Sequence, residues 1–259
     1  MAVECVVVMP VYNEAGCIRE VCRDWLNELI PRGHLLLVVD DGSSDATPAM
    51  LHGLARKSAG LIVTRKQNGG HGSAILHGYR EALRLGCEWI FQVDSDGQFR
   101  ASDYDLLWSR RHLSGFILGY RAERMDPLYR RLLSRLYRLL PLLIFGVYLK
   151  DPNVPYRLMR ASLLETMLDC LPPSVFAPNV FLAILAARGG QPSLDIPVQH
   201  LARIQGNSAI GWSQTARVAR TCMHDLLRFR MEGFRTFDRN RAGLVFAGKP
   251  PGKIPAGRT

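Results

Sequence analysis

Five short apolar runs mark the first half of the chain. Val3–Met9 ends at Pro10, and Leu35–Val39 ends at Asp40-Asp41-Gly42. Leu61–Val63 is flanked by basic residues, Trp89–Val93 runs into Asp94, and Phe116–Leu118 is the fifth. Runs this apolar read as strands buried on both faces, as in parallel sheets. Between them the pattern turns helical over about 14–30, 45–58, 72–85 and 102–112, with Ser44 or Asp45 placed to cap the second helix. Strands alternating with helices predict an α/β domain, a doubly wound, mostly parallel sheet with helices on both faces. Ligands of such sheets bind outside the carboxyl ends of the strands. The turns Pro10-Val11-Tyr12-Asn13-Glu14, Asp40-Asp41-Gly42-Ser43 and Asp94-Ser95-Asp96 would therefore converge on one crevice.

The third of these turns carries the strongest chemical signal. Phe91-Gln92-Val93 leads into Asp94 and Asp96, separated by Ser95, with Gln98 two positions on. Two carboxylates that close repel each other and are costly to desolvate unless a cation sits between them. A hard divalent ion held by a couple of carboxylates, water and substrate phosphates suits the cluster. An Asp-rich turn without chemistry is the alternative, since Asp, Ser and Gly are ordinary turn residues.

Leu128–Leu149 differs in kind. Arg130, Arg131, Ser134, Arg135 and Arg138 fall on one face at helical spacing, leucines fill the rest, and Pro141 interrupts an apolar stretch that continues to Leu149. The stretch over 139–149 is about half of the ~20 apolar residues that span a bilayer, so it suits a membrane interface or a core helix with a solvated Arg face. No transmembrane helix is expected elsewhere, and the tail after about residue 243 reads as disordered.

Charge sharpens the division between the two halves. The chain of 259 residues carries a formal +10. Residues 1–120 hold 12 Lys+Arg and 14 Asp+Glu, a net of −2, whereas residues 121–259 hold 21 and 9, a net of +12. Of those 21 basic residues 18 are Arg, which suits bidentate phosphate contacts. Such a half points to phosphates, anionic lipid head groups or nucleic acid. No nucleic-acid motif accompanies the arginines, so a nucleic-acid partner is not expected. Gly70-His71-Gly72 lacks the spacing of a dinucleotide-binding turn and follows the third apolar run, not the first. Six cysteines form no CxxC pair and no zinc-like cluster with His, so they read as reduced thiols of a cytosolic protein. The N-terminus runs straight into a strand without a secretory signal.

Four motifs in order resemble the family 2 glycosyltransferases, the inverting GT-A type. They are Val8-Met9-Pro10-Val11-Tyr12-Asn13-Glu14, Val38-Val39-Asp40-Asp41-Gly42-Ser43-Ser44-Asp45, Asn68-Gly69-Gly70-His71-Gly72-Ser73-Ala74 and Asp94-Ser95-Asp96-Gly97-Gln98. The second half is similar to the polyprenyl-phosphate branch related to dolichol-phosphate mannose synthase. It does so at Gly119-Tyr120-Arg121, Arg130, Ser134-Arg135, Lys150-Asp151-Pro152, Ile196-Pro197-Val198 and Arg203-Ile204-Gln205-Gly206-Asn207-Ser208. Pro155-Tyr156 stands where that branch commonly has Gly-Phe, and Ala209 where a Lys is common.

The resemblance implies a hexose transfer from a GDP- or UDP-sugar to a polyprenyl phosphate. Asp94, Asp96 and Gln98 would hold Mg²⁺ or Mn²⁺ against the departing diphosphate. Pro10, Tyr12, Glu14, Asp40, Asp41, Gly70 and Ser95 would line the nucleotide-sugar pocket. Arg121, Arg130 and Arg203 would contact phosphates, and Asp151 would orient the acceptor. A transferase with a soluble or other cell-envelope acceptor is the alternative. The implied organisation is a GT-A catalytic domain over 1–212, with 1–120 serving the donor and 121–212 the acceptor. A basic helical extension over 213–242 follows. Attachment at the cytoplasmic membrane face would come from the basic segments or from a membrane-embedded partner.

Overall fold

The computed structural model describes residues 3–121, 139–172, 175–201 and 212–233. Arg130, Arg203, most of the Arg-rich helix expected at 128–140 and the tail expected to be disordered lie outside them. The five apolar runs are strands: β1 (Cys5–Val11), β2 (Leu35–Asp40), β3 (Leu61–Arg65), β4 (Trp89–Val93) and β5 (Phe116–Arg121). Two further strands, β6 (Tyr156–Arg160) and β7 (Leu194–Val198), complete a seven-stranded sheet in the order β3-β2-β1-β4-β6-β5-β7. β6 alone runs antiparallel to its neighbours β4 and β5, and every other pairing is parallel. β6 and β7 are not announced by apolar runs. Arg157 and Arg160 interrupt the first, and Asp195 and Pro197 the second. Pro197 is tolerated because β7 is an edge strand.

The helices follow the expected order: α1 (Ile18–Leu29), α2 (Thr47–Ala55), α3 (His71–Arg84) and α4 (Tyr104–Trp108). Residues 139–145 form α5, and α6 (Ala161–Asp169), α7 (Pro178–Arg188) and α8 (Trp212–Arg228) follow. Neither Ser44 nor Asp45 takes the cap position of α2, which falls on Ala46 without a side-chain cap; Asp45 instead closes the preceding turn, its Oδ1 accepting from the Thr47 amide at 2.9 Å. The two faces of the sheet differ in chemistry. Successive side chains of a strand point to opposite faces. On one side of β4, Phe91 joins an aromatic cluster with Trp25, Tyr104 and Tyr156. On the other, Gln92 meets Tyr79 of α3 and Asn179 of α7.

β1 is buried along its whole length, and α3 lies close against it. Gly78 permits that approach: a Cβ there would fall 2.4 Å from Val8 Cγ1 and 2.9 Å from Val39 Cγ2. The basic extension is not detached from the core. After α8 a π-helical turn carries Phe229, fully buried against Phe181 at 5.0 Å and Phe145 at 6.0 Å between ring centroids. All six cysteines are buried thiols outside any disulfide, and no helix among the described residues is long and apolar enough to cross a membrane.

Two glycine substitutions separate packing from helix propensity. Gly78→Ala gains up to about 1 kcal/mol of propensity but overpacks two stiff valines at a cost of about 1–3 kcal/mol. With contacts this short the cost dominates, and the denaturation midpoint falls. Gly53→Ala in α2 meets nothing within 4 Å and raises the midpoint. Urea unfolding of both variants measures the two signs.

Candidate active site

The exits of β1, β2, β3 and β4 meet around a cavity of about 360 Å³. Pro10, Val11, Tyr12, Glu14, Asp41, Asn68, Gly70, His71, Ala74, Asp94, Ser95 and Asp96 line it. The first wall is held by hydrogen bonds between the turns after β1 and β2. The Asn13 amide donates to Ser43 Oγ at 3.0 Å, Glu14 to Thr47 Oγ1 at 3.0 Å and Ala15 to Asp45 Oδ2 at 3.1 Å. In return the Ser44 amide donates to Asn13 Oδ1 at 2.8 Å. Asn13 takes φ 54°, a left-handed conformation that Asn tolerates better than most residues because its short side chain bonds locally. Tyr12 stays half exposed at the cavity mouth.

Asp40 and Asp41, adjacent in sequence, serve different places. Asp41 faces the cavity while organising the turn after β3. Its Oδ1 accepts from Lys66 Nζ at 2.7 Å and the Gly69 amide at 3.1 Å, and its Oδ2 from the Gly70 amide at 2.8 Å. Asp40 does not line the cavity. Its Oδ1 accepts from the Ser43 amide at 2.9 Å, and Arg65 Nε lies 3.2 Å from its Oδ2. It braces the turn that presents Asp41. Gly42 brings that turn against the next one, since a Cβ there would sit 2.8 Å from the Asn68 nitrogen.

The carboxylate pair sits on the opposite wall. Asp94 Oδ1 accepts from Gln92 Nε2 at 3.3 Å, and His71 Nε2 lies 3.5 Å from the same oxygen. Asp96 Oδ1 accepts from the Gln98 amide at 3.1 Å, which closes the turn through Gly97 at φ 72°. The Gln98 side chain is not among the cavity-lining groups. Its Nε2 donates to the Leu201 carbonyl at 3.2 Å, tying the turn to the segment after β7. Burial pushes the Asp94 carboxyl up to about 6; His71, Arg121 and Arg157 oppose the rise, and the like charge of Asp96 adds to it. Among the described residues no group of three or more His, Cys, Asp or Glu side chains is placed to hold a metal ion. Two carboxylates open to a cavity fit a hard cation whose remaining ligands are water and phosphate oxygens.

Arg121 and Asp151 are partners. Asp151, 4% exposed, accepts from Arg121 Nε and Nη2 at 2.8 Å each. Asp151 thereby fixes the plane of the guanidinium at the end of β5. Arg130 and Arg203 belong to this side by expectation but fall outside the described residues. Three features escaped the sequence reading. His71 stands beside Asp94 at the start of α3; it lies within the quoted glycine-rich motif but was not singled out. Asn68 likewise lines the cavity. Arg157, wholly buried in β6, carries no sequence signal, because only the sheet pairing places it beside Gln92.

The raised Asp94 value fixes a sign. Its folded value, about 6, exceeds the unfolded 3.8. Between these values the native state holds more protons than the unfolded state, so this group lowers stability as pH rises through the interval. Asp94→Asn is therefore expected to raise the melting temperature in EDTA at pH 7.5, and the gain should vanish by about pH 4. Thermal melts of both proteins across that range test it; a gain independent of pH would contradict it.

Comparison with known proteins accords with this geometry. Residues 6–163 match the family model described as glycosyl transferase family 2. An undecaprenyl-phosphate 4-deoxy-4-formamido-L-arabinose transferase of Pseudomonas aeruginosa is 32% identical over 207 residues, 78% of this chain. The chain spans 59% of that relative's length. Among solved structures, glucosyl-3-phosphoglycerate synthase from Mycobacterium tuberculosis, in complex with Mn²⁺, UDP-glucose and phosphoglyceric acid, superposes with a TM-score of 0.59 at 16% identity. The match covers 86% of this chain and 79% of that one. A mannosyltransferase from Pyrobaculum calidifontis in complex with GDP-mannose and Mn²⁺ gives 0.56 at 18% identity, covering 97% and 76%. The fold is that of the GT-A glycosyltransferases, and the matched residues contain all four cavity turns: the chain belongs to glycosyl transferase family 2.

Proposed function

We propose that this protein is an inverting glycosyltransferase that moves a hexose from a nucleotide diphosphate sugar to a polyprenyl phosphate. The observation that carries the reading is the placement of Asp94 and Asp96 in one cavity with Tyr12, Glu14, Asp41 and Gly70. The acceptor class is supported by the curated relative, which is named for transfer to undecaprenyl phosphate. Asp94 and Asp96 would hold Mg²⁺ or Mn²⁺, and Gln98 would keep their turn closed. Such a cation, when bound, neutralises the charge that builds on a departing diphosphate.

Pro10, Tyr12, Glu14 and the Asp41 turn form a wall for the nucleoside, already shaped by the hydrogen bonds between the first two turns. Ser95 and Gly70 face the same space. On the acceptor side Arg121, held by Asp151, offers a guanidinium of fixed orientation, and Arg130 and Arg203 would add phosphate contacts. A phosphate monoester brings its own nucleophilic oxygen, so alignment and charge stabilisation replace a strong general base. The protein would meet its lipid at the cytoplasmic face of the membrane. The exposed Leu143 and Tyr148, with Leu227 and Met231 near the end of α8, support a peripheral contact there. A membrane-embedded partner remains part of the proposal.

The test is transfer of radiolabel from UDP-glucose, UDP-N-acetylglucosamine or GDP-mannose to a short polyprenyl phosphate, with Mn²⁺ or Mg²⁺. Metal-dependent label in the organic phase, reduced at least 100-fold by Asp96→Ala, is the expected result. Full activity in that variant would overturn the cation site. Label found only on a water-soluble phosphorylated acceptor would replace the lipid.

A further inference from the structure

Gln92 and Arg157 are directly opposed on the antiparallel pair β4–β6, and both are fully buried. Buried polar groups are costly unless their hydrogen bonds are satisfied. Here the bonds form a directed chain. Arg157 donates to the carbonyls of Pro152 at 3.2 Å, Val154 at 2.6 and 3.0 Å, and Asn179 at 3.0 Å. The bond to the Asn179 carbonyl ties Arg157 to the start of α7. From there Asn179 Nδ2 donates to Gln92 Oε1 at 2.9 Å, and the Tyr79 hydroxyl lies within reach of both amides, at 3.3 and 3.2 Å. An amide whose oxygen is taken in this way has its NH₂ turned the other way. Gln92 Nε2 accordingly donates to Asp94 Oδ1. The shortest contacts of Asp94 to Gln92 and His71 both fall on Oδ1.

We propose that Gln92 is a positioning residue: oriented by Asn179 and Tyr79, it holds one oxygen of Asp94 so that the other is presented to the cation. The inference rests on the reading of Asp94 and Asp96 as cation ligands and adds the residues that aim them. Groups that orient a metal ligand without touching the metal typically change affinity 10–100-fold when removed.

Binding of Mn²⁺ to the protein with UDP or GDP, followed by loss of the free-ion electron paramagnetic resonance signal, separates this role from packing. Gln92→Met keeps the volume and removes the donor; the folded variant is expected to bind Mn²⁺ at least 10-fold more weakly than wild type. Asn179→Leu never touches Asp94, and it should weaken binding in the same direction. The double variant should be no weaker than Gln92→Met, because both changes break one chain. Melting temperatures in EDTA report the structural cost on a separate axis. Unchanged Mn²⁺ affinity in both single variants, whatever their melting temperatures, would overturn the inference while leaving the cation reading intact; additive losses would sever Asn179 from Gln92 and overturn it as well. A wild-type protein that binds no Mn²⁺ would overturn the cation reading and this inference with it. If Gln92→Met does not fold, Asn179→Leu alone decides.

Discussion

Two carboxylates one residue apart at the end of β4 are the constraint around which the rest of the structure is arranged. Asp94 and Asp96 repel each other, and partial burial makes the ionised form of Asp94 costly, as its carboxyl value of about 6 records. A fold could relieve this by exposing both groups. This one keeps Asp94 at a cavity wall and surrounds it with one amide donor, one imidazole and the field of two guanidinium groups. The repulsion is softened without being removed. What remains unbalanced is an appetite for positive charge in a cavity that Tyr12, Glu14 and Asp41 also line.

The antiparallel strand β6 is what makes this arrangement possible. Because it is antiparallel, β6 begins beside the exit of β4, with Tyr156 opposite Val93. It enters from the Asp151-Pro152-Asn153-Val154 turn at that edge and places Arg157 opposite Gln92. The residue that follows the turn thus stabilises the turn itself, since Arg157 donates to two of its carbonyls. That turn carries Asp151, which in turn orients Arg121. One strand therefore supports both Gln92, beside the carboxylate pair, and Asp151, beside Arg121.

The legibility of the chain follows from the same division. Strands β1 to β4 are largely apolar runs, and all of them lie on the parallel side of the sheet, so the convergence of their turns could be read directly. Asp94, Asp96, Asp41, Tyr12 and Glu14 were found because strand ends in such a sheet share one edge, and they do share one cavity. β6 and β7 escaped because polar residues interrupt their apolar pattern and are satisfied inside the fold: Arg157 by the Asn179 carbonyl, 22 residues on, and Asp195 by its neighbour Ser193. Periodicity reports burial in an apolar environment, and a buried arginine bonded to carbonyls looks like a surface residue. Asp40 illustrates the converse limit. Its neighbour Asp41 lines the cavity, but alternation along β2 and its exit turn sends Asp40 to a bracing role that composition cannot distinguish.

Arg157 also has an electrostatic part that its hydrogen bonds do not exhaust. Burial lowers its value to about 10, with Tyr79, Asp151 and Asp94 acting in the opposite direction. It therefore stays cationic at neutral pH, though all four of its close hydrogen bonds run to neutral carbonyls. A buried charge with only dipoles in contact is tolerable when opposite charges lie close by in a poorly screened interior. Asp94 and Asp151 both act on Arg157 in this way. Removing either carboxylate leaves the buried guanidinium with less opposing charge. This explains why a guanidinium is present where an apolar residue would pack at lower cost.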